Sequence, residues 1–401
     1  MRANLFERLA PAHAERERTQ LLRRLRVVDQ NDGPHLQIAG KSLLAFCSND
    51  YLGLANHPQI VAALKDAADV HGVGSTAAHL VCGHHREHAA LEEELADWTG
   101  RERALLFSTG YMANLGVLQT LLQAGDLCVQ DKLNHASLID AVRLSGAERK
   151  RYPHCDVAAA QRQLESRPAK LALLASDGVF SMDGDIAPLV HLATLCKKQQ
   201  ASLMIDDAHG VGVFGNQGAG SVAAAGLNQH DVPILMATLG KAVGTCGAFV
   251  AGSGALIDAL LQSARSYIYT TAMPPALAAA TRAALRLVRA DEWRREKLHG
   301  LIERFRCGAL QLGLPLPESS SAIQPVLLGS AAESLAVAQA LEVRGLLVTA
   351  IRPPTVRAAT SRLRITLSAA HDDADVDRLL DALDACIPSA IRGVPRSDTH
   401  R

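Results

Sequence analysis

The sequence predicts an α/β protein, with a large domain built on a mostly parallel sheet between helices and a smaller C-terminal α/β domain. Three observations predict it. Between about residues 100 and 250, short continuous apolar runs alternate with helical stretches, which is the pattern of a parallel sheet covered on both faces. After about residue 275 the texture changes to one long helical stretch followed by further strand-like runs. The chain has 401 residues, too many for one ordinary small domain. The expected division is 1–45 as an N-terminal helical segment joining the small domain, 46–280 as the large domain and 281–401 as the small one.

Taken in order, residues 5–28 read as a charged amphipathic helix, and "SLLAFCSNDYLGLANHP" (42–58) as a short strand with a turn-rich loop. Residues 58–70 and 86–98 read as helices around "HGVGSTAAHLVCGHH", a loop rich in small residues. Then the alternation begins. "RALLFSTG" leads into "YMANLGVLQTLLQ", and "DLCVQDK" precedes "HASLIDAVRLS". "LALLASDGVF" precedes "PLVHLATLCKKQQ", with Pro188 suited to the first turn of a helix. "SLMIDDAHG" and "PILMATLGK" complete the set. Beyond them, "MPPALAAATRAALRLVRADEWRREKLHGLIERFRCGAL" is helical, and "AIQPVLLG", "LLVTAIRP" and "RLRITLS" read as strands.

Composition narrows the class of function. Lys plus Arg equals Asp plus Glu at 41 each, so no net field recruits nucleic acid or an anionic membrane. Eight cysteines form no CxxC pair, which points to reduced thiols in a cytoplasmic protein and to no metal. The N-terminus is too polar for a secretory signal, and Glu7, Glu15 and Glu17 argue against a transit peptide. No apolar run is long enough to span a bilayer.

In open parallel sheets the ligand sits beyond the carboxyl ends of the strands. The residues with chemistry fall there: Ser108–Tyr111, Asp177–Asp183, Asp206–His209 and Thr238–Lys241. From Val232 to Ile257 the only charged side chain is Lys241. An amine held among apolar residues loses hydration, which favours its neutral, nucleophilic form. Asp206 ends an apolar strand, where a carboxylate needs a cationic partner. A protonated pyridine nitrogen is one such partner, and His209 could donate to an oxygen on the same ring. Gly110 and Tyr111 open a helix, whose first amides can hold a phosphate. Ser181 and Thr238 add hydroxyls at neighbouring strand ends. His135 could stack on a flat ring, or cap its helix. Each of these side chains, taken singly, also has an ordinary structural reading, and the structural reading is preferred for His84, His85 and His88 over a metal site.

The segments "SNDYLGL", "STGYMAN", "LNHAS", "DGVFSMDGDIAPL", "IDDAHGVGVFG", "TLGKAVG", "YTTAMPP" and "RLRITL", in that order over roughly 47–367, resemble the α-oxoamine synthases. These are pyridoxal-phosphate enzymes of the aminotransferase-like fold type I that join an amino acid to an acyl thioester with loss of carbon dioxide. The resemblance implies pyridoxal 5'-phosphate as cofactor, with Lys241 as the lysine that binds its aldehyde, Asp206 as partner of its ring nitrogen and His209 as donor to its ring oxygen. It implies Gly110, Tyr111, Ser181 and Thr238 as further cofactor contacts and His135 as the stacking residue. Arg23 (or Arg24) would contact the acyl substrate, Thr355 and His135 would also contact substrate, and Arg364 would receive a substrate carboxylate. A homodimer with shared sites is implied, with Thr271 of "YTTAMPP" reaching the neighbouring subunit's phosphate. "SAIQPVLLG" and "VTAIRPPTV" point within the family to the reaction of L-alanine with pimeloyl-CoA or pimeloyl-[acyl-carrier protein], on the way to biotin. Glycine C-acetyltransferase, 5-aminolevulinate synthase and sphingoid-base synthase chemistry are sister readings on the same scaffold, and a non-catalytic binding protein is the rival from another class. Asp177 departs from the family, which usually has glutamate there, and Arg357 stands where proline is common.

Overall fold

The computed structural model describes residues 4–19, 21–166 and 171–393. Among the described residues fourteen strands follow one another. Near the N-terminus lie β1 (Gln30–Asp32), β2 (His35–Ile38) and β3 (Lys41–Ala45). The middle of the chain supplies β4 (Arg103–Phe107), β5 (Leu127–Asp131), β6 (Glu148–Tyr152), β7 (Ala172–Asp177), β8 (Ser202–Asp206), β9 (Ile234–Thr238) and β10 (Ala248–Gly252). The last part holds β11 (Ile323–Gly329), β12 (Leu346–Leu347), β13 (Thr349–Ile351) and β14 (Ser361–Thr366).

The seven middle strands form one sheet in the order β4-β10-β9-β8-β7-β5-β6, in which β10 alone runs against its neighbours. Strands β5, β7, β9 and β10 are buried along nearly their whole length, as a sheet covered on both faces requires. Separate apolar clusters back the two faces: Val117, Leu138 and Ile257 on one side, and Val129, Leu192 and Val232 towards one edge of the other. The remaining surface of that second side joins the largest cluster, which continues through Phe249 and Ala284 to Ile365 and Leu379.

The last part of the chain makes a three-stranded antiparallel sheet, β11-β14-β13. The stretch "LLVTAI", expected as one strand, is divided. β12 pairs in parallel with β3 in a four-stranded sheet, β1-β2-β3-β12, while β13 pairs with β14. The chain changes sheets at Val348, so β3 is tied to the last third of the chain by backbone hydrogen bonds.

The expected helix over 5–28 is shorter in the structure. A 3₁₀ turn over Leu5–Arg8 and an α-helix over Leu9–Arg18 bury no residue, and from Leu21 to Asp29 the chain has no helix or strand. Thr19 closes the helix by donating its hydroxyl to the Glu15 carbonyl. Beyond it Leu25 is fully exposed, so no packed face sustains further turns. The helices expected over 58–70 and 86–98 are observed as Pro58–His71 and Arg86–Thr99. Among the described residues no helix is long and apolar enough to cross a membrane.

Phe249, in the middle of the antiparallel strand β10, is fully buried in the largest apolar cluster. Phe249→Ala should lower the unfolding free energy by about 3–5 kcal/mol, read as a fall in the urea midpoint at unchanged slope.

Candidate active site

Strands β7, β8 and β9 lie side by side in parallel, so Asp177, Asp206 and Thr238 come to one edge of the sheet. The loop after β9 turns Lys241 back over that edge. This loop is tied down: Leu239 N donates to Gly247 O at 2.9 Å, Thr245 N to Leu239 O at 3.0 Å and Gly244 N to Lys241 O at 2.9 Å. Leu239, Ala242 and Val243 are buried in the core on either side of the lysine. Two glycines allow the close approach. Gly244 has φ +77°, and a Cβ there would fall 2.8 Å from the Ala55 nitrogen. Gly212, at φ +83°, would place a Cβ 2.6 Å from the Ala242 Cβ. A lysine on so constrained a loop has little freedom to swing its head to water.

The Lys241 amine lies 2.7 Å from His209 Nε2. His209 Nδ1 lies 2.7 Å from the Tyr51 hydroxyl, which donates to Asn49 Oδ1 at 3.1 Å. Arg364 Nη2 donates to the same Asn49 oxygen at 3.3 Å, and Arg364 Nε to the Ser181 carbonyl at 2.6 Å. With the Tyr51 proton spent on Asn49, His209 donates from Nδ1 and its Nε2 accepts from the lysine. Burial, then the charges of Lys241 and Arg364, hold the His209 pKa well below its usual value, so the ring is neutral. Burial also lowers the Lys241 amine to about 8, against the opposing pull of Asp206 and Asp177.

Asp206 is buried, with Asn114 Nδ2 donating to one oxygen at 2.8 Å and the Ala208 amide to the other at 3.1 Å. Asn114 Oδ1 is buried without a partner. Burial and the nearby Asp206 push Asp177 well above the usual carboxyl range, although the His135 amide donates to it at 3.2 Å. His135 caps its helix, its Nδ1 2.7 Å from the Ser137 hydroxyl. Burial depresses its pKa; Asp206 works the other way. The helix Gly110–Leu121 begins at the same edge, capped by the Thr109 hydroxyl, which accepts from Met112 N at 3.2 Å. The amides of Gly110 and Tyr111 belong to its first turn, which the helix itself leaves unbonded.

These groups surround one cavity of about 190 Å³. Gly110, Tyr111, His135, Ser181, Asp206, His209, Thr238 and Lys241 all line it, so the structure brings together eight residues that the sequence singles out across more than a hundred positions. Arg364 stands behind Ser181. Thr355 lines a second, larger cavity next to the first, which shares His135 and Ser181 with it. Arg23 and Arg24 lie exposed on the irregular stretch that follows the N-terminal helix and line neither cavity. Thr271 is exposed as well and pairs with Ala78 through a single bridge outside both. Sequence reasoning did not single out Asn114 or Tyr51, although both stand inside the quoted segments "STGYMAN" and "SNDYLGL". Asn114 is one helical turn after Gly110, so the same face that opens the helix also reaches Asp206. His79 joins His84 and His88 in a cluster with metal-ligand spacing. There, however, His88 accepts from the His85 amide and faces the Met273 carbonyl at 2.8 Å, so backbone groups occupy both of its ring nitrogens.

The donor set suits pyridoxal 5'-phosphate. It offers a desolvated amine for an aldehyde, a buried carboxylate for a ring nitrogen, unbonded helix amides for a phosphate and an imidazole for the ring face. It also contains an orphaned acceptor, Asn114 Oδ1, in the cavity wall.

Comparison with known proteins agrees with the geometry. The profile described as "Aminotransferase class I and II" matches residues 41–383. An 8-amino-7-oxononanoate synthase of Cellvibrio japonicus is 56% identical over 98% of this chain and 99% of its own. One from Thioalkalivibrio sulfidiphilus is 58% identical over 92% and 95%. Among solved structures, a serine palmitoyltransferase from S. paucimobilis with bound PLP superposes with TM-score 0.91 at 31% identity, covering 96% of this chain and 98% of its own.

Tyr51→Phe removes the hydroxyl that His209 and Asn49 share while keeping the ring. Leaving those buried groups unpaired should cost about 1–3 kcal/mol of stability in urea denaturation, and unchanged stability would show that the hydroxyl is not part of the chain of hydrogen bonds.

Proposed function

The chain belongs to the aminotransferase class I and II family, and from that premise we infer that it condenses L-alanine with a pimeloyl thioester, releasing carbon dioxide and free thiol and giving 8-amino-7-oxononanoate for biotin synthesis. Its identity to 8-amino-7-oxononanoate synthases over nearly the whole chain supports this product. The observation that carries the chemistry is the convergence of Lys241, His209, Asp206 and His135 on one cavity, with the amine lowered to about 8.

Pyridoxal 5'-phosphate, when bound, supplies an aldehyde and a pyridine ring that accepts electrons from bonds to the substrate's α-carbon. The roles of the surrounding residues follow from what each offers. Lys241 Nζ would hold the aldehyde carbon. Asp206 would hold the ring nitrogen with its anionic oxygens, already oriented by Asn114 and the Ala208 amide. The first-turn amides of Gly110 and Tyr111 would hold the phosphate, helped by the hydroxyls of Ser181 and Thr238 and by Thr271 of a second subunit in a homodimer. With its tautomer reversed, His209 would donate from Nε2 to the ring oxygen. His135 would cover the ring face, a position its helix cap fixes.

The same side chains can move protons. Near pH 8 about half of the Lys241 amine is neutral. It can then take the proton from the α-carbon of alanine and return one after carbon dioxide leaves. Arg364, buried and anchored to Ser181 and Asn49, presents its guanidinium to the alanine carboxylate. Thr355 and His135 border the space next to this site, where the acyl donor would lie. Arg23 or Arg24 would contact that donor if the exposed N-terminal stretch folds over it. Pimeloyl-CoA and pimeloyl-[acyl-carrier protein] are both donors of the required chemistry, and the cytoplasm is where either is made available.

The test is a donor panel with purified protein and pyridoxal phosphate, read by thiol release. Alanine with pimeloyl thioester should turn over at least about tenfold better than glycine, or than acetyl, succinyl or palmitoyl thioesters; preference for any of these would move the assignment to a sister enzyme. Asp206→Asn should slow solvent exchange of the alanine Cα proton by about a hundredfold or more. Exchange at the wild-type rate would remove Asp206 from its role.

A further inference from the structure

The cavity that adjoins the lysine site has a volume of about 550 Å³, ample for a small organic chain. It adjoins the lysine cavity, and His135 and Ser181 line both. Part of its wall is apolar, through Leu133, Ile139, Phe180 and Val356. The polar part is one-sided in charge. Lys132, Arg151, Arg357 and Arg362 face one acid, Asp183, and Arg362 is already bound to that acid in an ion pair. His154 also reaches the wall. Burial disfavours its charge, but Asp131 and Asp185, at 3.1 and 2.6 Å, outweigh that and push it up to about 12, so its charge is met from behind. Lys132 and Arg151 have no acid against them among the described residues.

The fold holds these two cations side by side. Strands β5 and β6 are parallel neighbours, with Asp131 opposite Tyr152, so Lys132 and Arg151 leave the same edge of the sheet. Lys132 N donates to the Tyr152 carbonyl at 3.0 Å, and Arg151 Nη2 donates to the Lys132 carbonyl at 2.7 Å. A cavity beside the reacting site that combines apolar wall residues with two cations lacking an acid partner suits a chain that is aliphatic along its length and anionic at its far end. Lys132 is half-buried and Arg151 exposed, and a plain fatty acyl chain of the same length would offer neither a counter-charge.

We propose that this cavity seats the acyl chain of the thioester donor and that Lys132 and Arg151 bind its distal carboxylate, which makes them the residues that select a dicarboxylic acid monothioester over a fatty acyl one. The proposal rests on the acyl-transfer reading above. The same charge chemistry could be met by the phosphates of a CoA carrier, so the donors must separate the two sources.

Three donors do so: pimeloyl-CoA, its ω-methyl ester, which lacks the carboxylate, and pimeloyl-pantetheine, which lacks the phosphates. Lys132→Met and Arg151→Gln should each lower the kcat/KM ratio of pimeloyl-CoA over its methyl ester by about tenfold to a hundredfold, with the same loss for pimeloyl-pantetheine. Equal losses for all three donors, or no loss, would overturn the proposal. A loss confined to the two CoA donors would assign the cations to the phosphates and overturn it too. A binding measurement needs no turnover: calorimetry of the wild-type protein with pimelate and with heptanoate should show pimelate bound at least about tenfold more tightly, and Lys132→Met should abolish the difference. If wild type turned over no pimeloyl donor while this difference held, the reaction assignment would fall and the cavity assignment would stand. If turnover were normal and pimelate had no advantage, the cavity assignment alone would fall.

Discussion

The site depends on one contact: the Lys241 amine against the Nε2 of a neutral histidine, in a place where water cannot fully hydrate a charge. An ammonium group there would have to give up hydration, with only the carboxylates of Asp206 and Asp177 offsetting the loss. The balance falls near neutrality, so the amine can be a nucleophile or a base at ordinary pH. His209 can serve as the acceptor because its other nitrogen is committed to Tyr51, and Tyr51 in turn to Asn49. Asn49 also accepts from Arg364, so a line of side chains ties the amine to the Arg364 guanidinium.

The sheet explains how groups so far apart in sequence meet. Parallel strands end at one edge, and the three central strands β7, β8 and β9 each deliver a polar residue there. The helix that opens at Gly110 adds unbonded amides to the same edge. The last third of the chain contributes Arg364 through β14, whose antiparallel partners β11 and β13 keep it buried behind Ser181. Buried acids at this edge repel one another, and Asp177 is pushed upward by burial and by Asp206. Asp206 accepts from two N–H donors and Asp177 from the His135 amide, so the two carboxyls sit in unequal surroundings.

Much of this was legible in the chain itself. A lone lysine in a glycine-flanked apolar segment, and an acid and a histidine three positions apart after an apolar strand, mark strand ends because such polar groups have nowhere else to go in a buried parallel sheet. What was not legible came from distant pairings. Tyr51 meets His209 across more than 150 positions, and nothing local announces it. Asn114 was hidden inside a helix whose first residues drew the attention. The stretch "LLVTAI" has the look of one strand because periodicity reports burial and says nothing of which sheet a residue joins. The helix expected to reach residue 28 stops early because its sequence has helical charge spacing but no face that is buried in this chain. Arg23 and Thr271 lie exposed outside both cavities.

The most direct test of this account is the titration of the Lys241 amine in the protein freed of cofactor, followed by heteronuclear NMR of the lysine Nζ with Lys241→Met to assign the signal. The account predicts a midpoint near 8, the amine being neutral above it and charged below it. A midpoint at the ordinary lysine value of about 10.4 would show a hydrated, fully protonated side chain, and the proposed chemistry of the cavity would lose its base.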